Sequence, residues 1–166
     1  LQLAPHVPAL SGLSGRLAFT EQALTAHELR GSVLGGPVRV SGGVGKGQKG
    51  LVFEGRLEAA ALDTWLEGRL AGQLEGHTPY RLAVVRHDNG ALGLQLNASL
   101  EGMGIQLPAP LRKAATDRWP LRASWAPASA KDKRGNMMLD VRLGELLEAR
   151  FLHAGGERGK NAFFKA

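Results

Sequence analysis

Alternation of apolar and polar residues with a period of two runs through almost the whole chain. That period commits the backbone to strands, because successive side chains of an extended chain point to opposite faces. Leu13, Gly15, Leu17 and Phe19 share one face, with Ser14, Arg16 and Ala18 on the other. Leu29, Gly31 and Val33 repeat the pattern, then Val38 and Val40. Leu51, Phe53, Gly55 and Leu57 alternate with Val52, Glu54, Arg56 and Glu58. Leu70, Gly72, Leu74 and Gly76 follow, and then Tyr80, Leu82 and Val84. The longest clean stripe is Leu92, Leu94, Leu96, Ala98 and Leu100. Leu121, Ala123 and Trp125, then Leu139, Val141 and Leu143, close the series.

Turn signals separate these runs: Leu34-Gly35-Gly36-Pro37, the glycine-rich stretch 42–50, and Asp88-Asn89-Gly90. Asn-Gly after Asp is the strongest short hairpin signal in the chain. Glycine supplies 23 of 166 residues, twice the usual share of about 7%, which suits tight turns, bulges and bent strands. Ala126 to Gly135 reads as a loop, and the polar stretch from Gly155 onward as a frayed tail. Two segments read as short helices: Ala59 to Leu66, with Leu62, Trp65 and Leu66 on one face, and Ala109 to Trp119, with Leu111, Ala114, Ala115 and Trp119 on one face.

Strands joined by short turns predict an antiparallel meander, each strand with one apolar face. Two short helices cannot cover about ten such faces. The fold class is therefore mainly β: a long curved antiparallel sheet with one or two short helices that leaves an apolar channel, or else a closed β-sandwich. The chain reads as one β-rich unit with a core from about residue 10 to 153 and a flexible tail over 154–166. It begins at Leu1, not Met, and so reads as a piece of something longer.

No residue constellation offers chemistry. Gly42-Gly43-Val44-Gly45-Lys46-Gly47 imitates a phosphate loop, but Val40 and Gly47 stand where that loop needs glycine and Ser or Thr. His6, His27, His77, His87 and His153 have no metal-ligand spacing, and cysteine is absent. The carboxylate pairs Asp63 with Glu67 and Glu145 with Glu148 carry no signature of their own. Ser11, Ser14, Ser41 and Ser99 lack the turn that exposes a nucleophile. The expectation is no enzyme, no metal and no cofactor. A net charge of +6 raises nucleic acid as a partner, but the basic residues are scattered and five Phe, three Trp and one Tyr are few for stacking on bases. Lys131, Lys133 and Arg134 fall in the loop, and Arg158, Lys160 and Lys165 in the tail. Arg112, Lys113 and Arg118 flank a Leu-Pro-x-Pro corner, where they could meet anionic head groups at about 1 kcal/mol per charge.

Some of these residues carry a family resemblance. Leu13 to Phe19, Leu29 to Val40, and Gly55 to Leu66 with its Ala-Leu-x-x-Trp-Leu helix resemble the repeated unit of the AsmA-like proteins of Gram-negative envelopes. Ser99-Leu-Glu-Gly102 followed by Leu107-Pro108-Ala-Pro110-Leu-Arg-Lys113 resembles the YhdP branch. The resemblance spans roughly Leu10 to Trp125. It implies an inner-membrane anchor elsewhere in the parent protein, a periplasmic body, and a long sheet curled into a taco-like groove. That groove would carry phospholipid between inner and outer membranes and maintain the outer-membrane barrier. No catalytic residues come with it. The expected groove lining is Leu51, Phe53, Leu57, Leu92, Leu94, Leu96 and Leu100, and the expected partners are acyl chains and neighbouring repeats of the same polypeptide. A homodimer of the isolated piece is compatible with its open sheet edges; the runner-up is a non-catalytic sandwich that scaffolds or binds other proteins.

Overall fold

A computed structural model describes residues 9–21, 23–45, 50–70, 72–87, 90–129 and 135–154. The cluster Lys131, Lys133 and Arg134, the cluster in the tail, His6, residues 46–49 of the phosphate-loop imitation, and Asp88 and Asn89 of the hairpin signal lie outside them.

The described residues form β1 (Ser11–Phe19), β2 (Ala23–Val33), β3 (Gly36–Gly45), β4 (Gly50–Glu58), α1 (Ala59–Trp65), β5 (Leu74–Arg86), β6 (Leu92–Ala98), β7 (Met103–Gln106), β8 (Arg112–Lys113), β9 (Leu121–Pro127), β10 (Met137–Leu143) and β11 (Leu147–His153). The main path runs β1-β2-β3-β4-β5-β6-β9-β10-β11, every ladder antiparallel, and the ends do not meet. The meander is thus an open sheet. The closed sandwich is excluded among the described residues, because a single path holds the strands and no second large sheet faces it.

Register turns the sequence stripes into one face. Reading across the ladders, Leu17, Ala26, Gly42, Leu51, Val84, Leu94, Trp125, Leu139 and Phe151 are successive cross-strand neighbours. The row beside it holds Leu29, Val40, Phe53, Leu82, Leu96, Ala123, Val141 and Ala149. Cross-strand neighbours project to the same side, so these rows make a continuous apolar surface. Between β2 and β3, Leu34 (φ 48°) and Gly35 (φ 77°) form a tight two-residue turn, the geometry that matches strand twist.

One end of this face is covered. After β6 the chain leaves the main path for an excursion over Ser99 to Pro120, in which β7 pairs with β8 and with the start of β5. Strand β5 therefore serves two sheets. Leu74, Glu75 and Gly76 pair with Ile105, Gly104 and Met103, and from His77 onward it pairs with β4. Gly76, at φ +80°, makes the break: a Cβ there would sit 2.2 Å from the Gly102 carbonyl oxygen. Ala59 of α1 joins Leu100, Met103 and Ile105 in a buried cluster, against which Leu57, Leu74, Ala98, Leu121 and Leu143 pack. Full burial of a side chain of this size is worth about 1.5–3 kcal/mol, so the cluster fastens the cap to the sheet. A second cluster, Ala26, Val38 and Val40 with Leu29, Phe53 and Tyr80, lies over β2 to β5.

Three expectations are corrected. No helix spans 109–119. Pro108 and Pro110 give it no backbone donors there, Lys113 is held in a ladder opposite Ile105, and Asp117 accepts the Ala114 amide at 3.2 Å, closing a turn. Leu70 and Gly72 are not strand. Asp63 accepts the amides of Leu70 (3.2 Å) and Gly72 (3.1 Å), so the segment leaving α1 is a loop built on a helix carboxylate. Within α1 the buried residue is Ala59, while Trp65 is 42% exposed.

Candidate functional site

The expected lining residues fall into two groups. Leu51 and Leu94 share one cross-strand row, and Phe53 and Leu96 share the next. Leu57 ends the stripe on β4, packed against the covered end, and Leu92 stands at the opposite, uncovered end of β6. Leu100 does not belong to the stripe. Strand β6 stops at Ala98, Leu100 takes a left-handed φ of 52°, and its side chain is 8% exposed inside the capping cluster.

Outside the cap and the buried cluster over β2 to β5, the apolar face carries exposed side chains. Leu17 is 40% exposed, Phe19 69%, Leu92 49%, Leu94 39% and Phe151 44%, all on the same side of the sheet. Single exposed leucines are ordinary; here the exposed side chains lie on one apolar face that crosses nine strands. Sequence reasoning missed the residues at both flanks: Leu17, Leu24, Leu139 and Phe151 face the same way but were legible only as short alternating runs. Trp125 belongs there too, its ring 5.8 Å from that of His153. α1 and the excursion close one border of this face.

Tyr80 is half-buried in the inner part of this face. It pairs across the ladder with Gly55, whose missing side chain leaves room for the ring, and it packs on the second cluster. Burial pushes its phenol up to about 12 from 10.0. Because Tyr80 is the only tyrosine in the chain, ultraviolet absorbance follows its ionisation directly. The native protein is expected to titrate near 12 and the urea-unfolded chain near 10.0. The folded state keeps its proton longer, so this contribution to stability is intact below pH 10 and is lost as pH rises toward 12. A native midpoint near 10 would mean that the ring faces water.

The proline-corner residues do structural work. Ser99 Oγ accepts the Glu101 amide (3.3 Å), Gly102 (φ 88°) donates its amide to Ala115 O (2.8 Å), and the Gly102 carbonyl accepts His77 N (3.1 Å). Pro108 O accepts Leu111 N (2.9 Å), and Leu107 packs on the capping cluster, with Pro110 exposed beside it. Lys113 is corrected from an exposed head-group contact to a buried tether. It is 2% exposed and its ammonium donates to Met103 O and Ala114 O, both at 2.8 Å. Desolvation lowers its pKa, opposed by the charges of Asp117 and Glu101. Arg112 and Arg118 are exposed.

Some of the chemical candidates have structural partners. Asp63 serves its loop, Glu148 binds Arg142 (2.7 Å), and Gly42 to Gly45 continue β3, not a helix N-terminus. Among the described residues no group of three His, Cys, Asp or Glu is placed to hold a metal, and no helix is long and apolar enough to cross a membrane.

A single open antiparallel meander with one apolar face and a locally capped end is the class of β protein into which this chain falls. Within that class the chain belongs to the YhdP family of AsmA-like envelope proteins: the family model described as YhdP protein matches residues 1–166. No curated protein and no solved structure matches it.

Proposed function

We propose that the apolar face is a periplasmic lipid-conducting wall, part of a route for phospholipid between inner and outer membranes that sustains the outer-membrane barrier. The observation that carries this reading is the apolar row from Leu17 to Phe151, which crosses the main path and is exposed at Leu17, Leu94 and Phe151, with Ala26 buried in the cluster over β2 to β5. An acyl chain supplies the missing layer. Each methylene removed from water is worth about 0.8 kcal/mol, so a dozen give about 10 kcal/mol before ordering costs. A long row of similar apolar residues, unbroken by a polar anchor, holds chains without fixing them at one point, which suits conduction better than storage. Neighbouring repeats pairing on β1 and β11 would extend the wall.

Native mass spectrometry of the chain mixed with phospholipid is expected to show bound lipid. Leu94→Asp places a carboxylate in the middle of the row, on a side chain already 39% exposed, so the fold tolerates it. A desolvated charge against the acyl chain costs several kcal/mol, and occupancy is expected to fall about 100-fold. Absence of any bound lipid, or occupancy unchanged in the folded Leu94→Asp variant, would refute the reading.

A further inference from the structure

The opposite face of the sheet carries a second row, invisible in the sequence because its members are far apart along the chain. Arg30, Arg39, Glu54, Arg81, Asn97, Arg122, Arg142 and Glu148 are successive cross-strand neighbours from β2 to β11. Two contacts in it place arginine directly opposite arginine: Arg30 with Arg39, and Arg122 with Arg142. Like charges directly opposed in a sheet are destabilising, and nothing in the fold needs them there. The acids present are already engaged. Glu54 binds Arg81, Glu148 binds Arg142, and in the adjoining row Asp140 binds Arg150. Among the described residues Arg30, Arg39 and Arg122 have no acidic partner, and all three are exposed.

Two shallow hollows sit at the two arginine pairs. One, of about 380 Å³, is lined by Arg30, Arg39, Glu54 and Arg56; the other, of about 360 Å³, by Asn97, Arg122, Ser124, Arg142 and Arg150, with the Asp140 carboxylate already engaged by Arg150. Both are open depressions with guanidinium donors, joined in the second by the Asn97 amide, and guanidinium binds phosphate oxygens in pairs. From Arg30 to Arg142 the row crosses six strand spacings, about 29 Å, enough to meet several head groups side by side. Met138 and Leu152 project from this same face, Leu152 being 63% exposed. Tyr80, Trp125, Phe53 and Phe151 all lie on the other side, so among the described residues of the main sheet the basic face has no aromatic platform for bases.

We infer that the arginine face docks the sheet onto the phosphate surface of an anionic bilayer, with Arg30, Arg39 and Arg122 as the head-group contacts. The two faces then have separate duties: one meets hydrocarbon, the other the charged surface of a membrane. Nothing in the inference depends on lipid entering the apolar face.

Vesicle flotation tests it, using phosphatidylcholine vesicles with and without phosphatidylglycerol. The chain is expected to float only with phosphatidylglycerol present and to be released by added salt. Near an anionic surface each basic residue strengthens binding about fivefold, so the triple variant Arg30→Gln, Arg39→Gln, Arg122→Gln is expected to bind about 100-fold more weakly. The charge-matched triple Arg69→Gln, Arg134→Gln, Arg158→Gln removes the same charge from arginines that are not members of this row and is expected to bind as the native chain does. Leu94→Asp is also expected to float normally, which separates this inference from the lipid-conducting reading. Equal loss in both triples would show that net charge alone acts, and overturn the assignment. Flotation with phosphatidylcholine alone, or tighter binding to duplex DNA than to the anionic vesicles, would overturn it as well.

Discussion

Gly36→Ala is expected to cost about 3 kcal/mol or more of stability, read as a fall in the urea midpoint with an unchanged slope. Gly36 opens β3, where a Cβ would lie 1.7 Å from the Arg56 carbonyl oxygen, closer than any non-bonded approach allows. The obstruction is backbone, so no rotamer relieves it; β3 and β4 must part. Their separation spreads, because the turn before Gly36 is tied to α1. Leu34 O accepts Glu58 N at 2.9 Å, and the site of a Cβ on Gly35 lies 3.0 Å from Ala61 Cβ. Loosening that corner unseats the helix that contributes Ala59 to the cap. Gly68→Ala isolates the other way in which glycine matters. Gly68 has φ +70° with open space around it, so its replacement costs only the left-handed penalty of about 1 kcal/mol. Equal losses at the two positions would show that the close approach at Gly36 is not real.

Lys113→Ala is the second large effect, with an expected loss of about 3 kcal/mol. The substitution removes two charged-donor hydrogen bonds, each worth about 1.5–3 kcal/mol, and leaves a void along the buried stem. Relief from burying an ammonium offsets part of this. Lys113→Met keeps the stem and drops the charge, so it is expected to recover roughly half. The pH dependence distinguishes the tether from simple packing. Desolvation holds the folded-state pKa of Lys113 below its ordinary 10.5, so the unfolded chain binds more protons in the interval between the two values. Stability carried by this group therefore rises with pH through that interval and levels off above 10.5, a slope that Lys113→Met should abolish. Tyr80 acts in the opposite sense above pH 10, so the contribution of Lys113 rises where that of Tyr80 begins to fall. A pH profile unchanged in Lys113→Met would place the ammonium in water.

The alternation made the meander legible, since period-two runs such as Leu51 to Leu57 need only local sterics to declare a strand. The turn at Leu34 and Gly35 was legible for the same reason. The excursion was not. In Ala109 to Trp119 the helical spacing of Leu111, Ala114 and Ala115 is real, but the pull of Ile105 on Lys113 comes from another strand and outweighs a weak propensity. Leu100 misled likewise: the stripe continues in sequence one step past the point where the strand ends. That Leu51, Phe53, Leu94 and Leu96 share one face could be read from single strands. The arginine row could not, because register between distant strands decides which arginines become neighbours.

That same excursion governs how the sheet can be assembled. Along the main path the ladders join strands that follow one another through turns or, between β4 and β5, a short helical connection; only β6 to β9 must close across everything from Ser99 to Pro120. Local hairpins form quickly, whereas a long closure pays its chain entropy before any contact rewards it. The β6–β9 closure, which joins β1–β6 to β9–β11, is therefore expected to be the slow step. Kinetically, the continuous apolar surface exists only after the excursion has folded, so the greasy wall is completed last, with its closed border already in place.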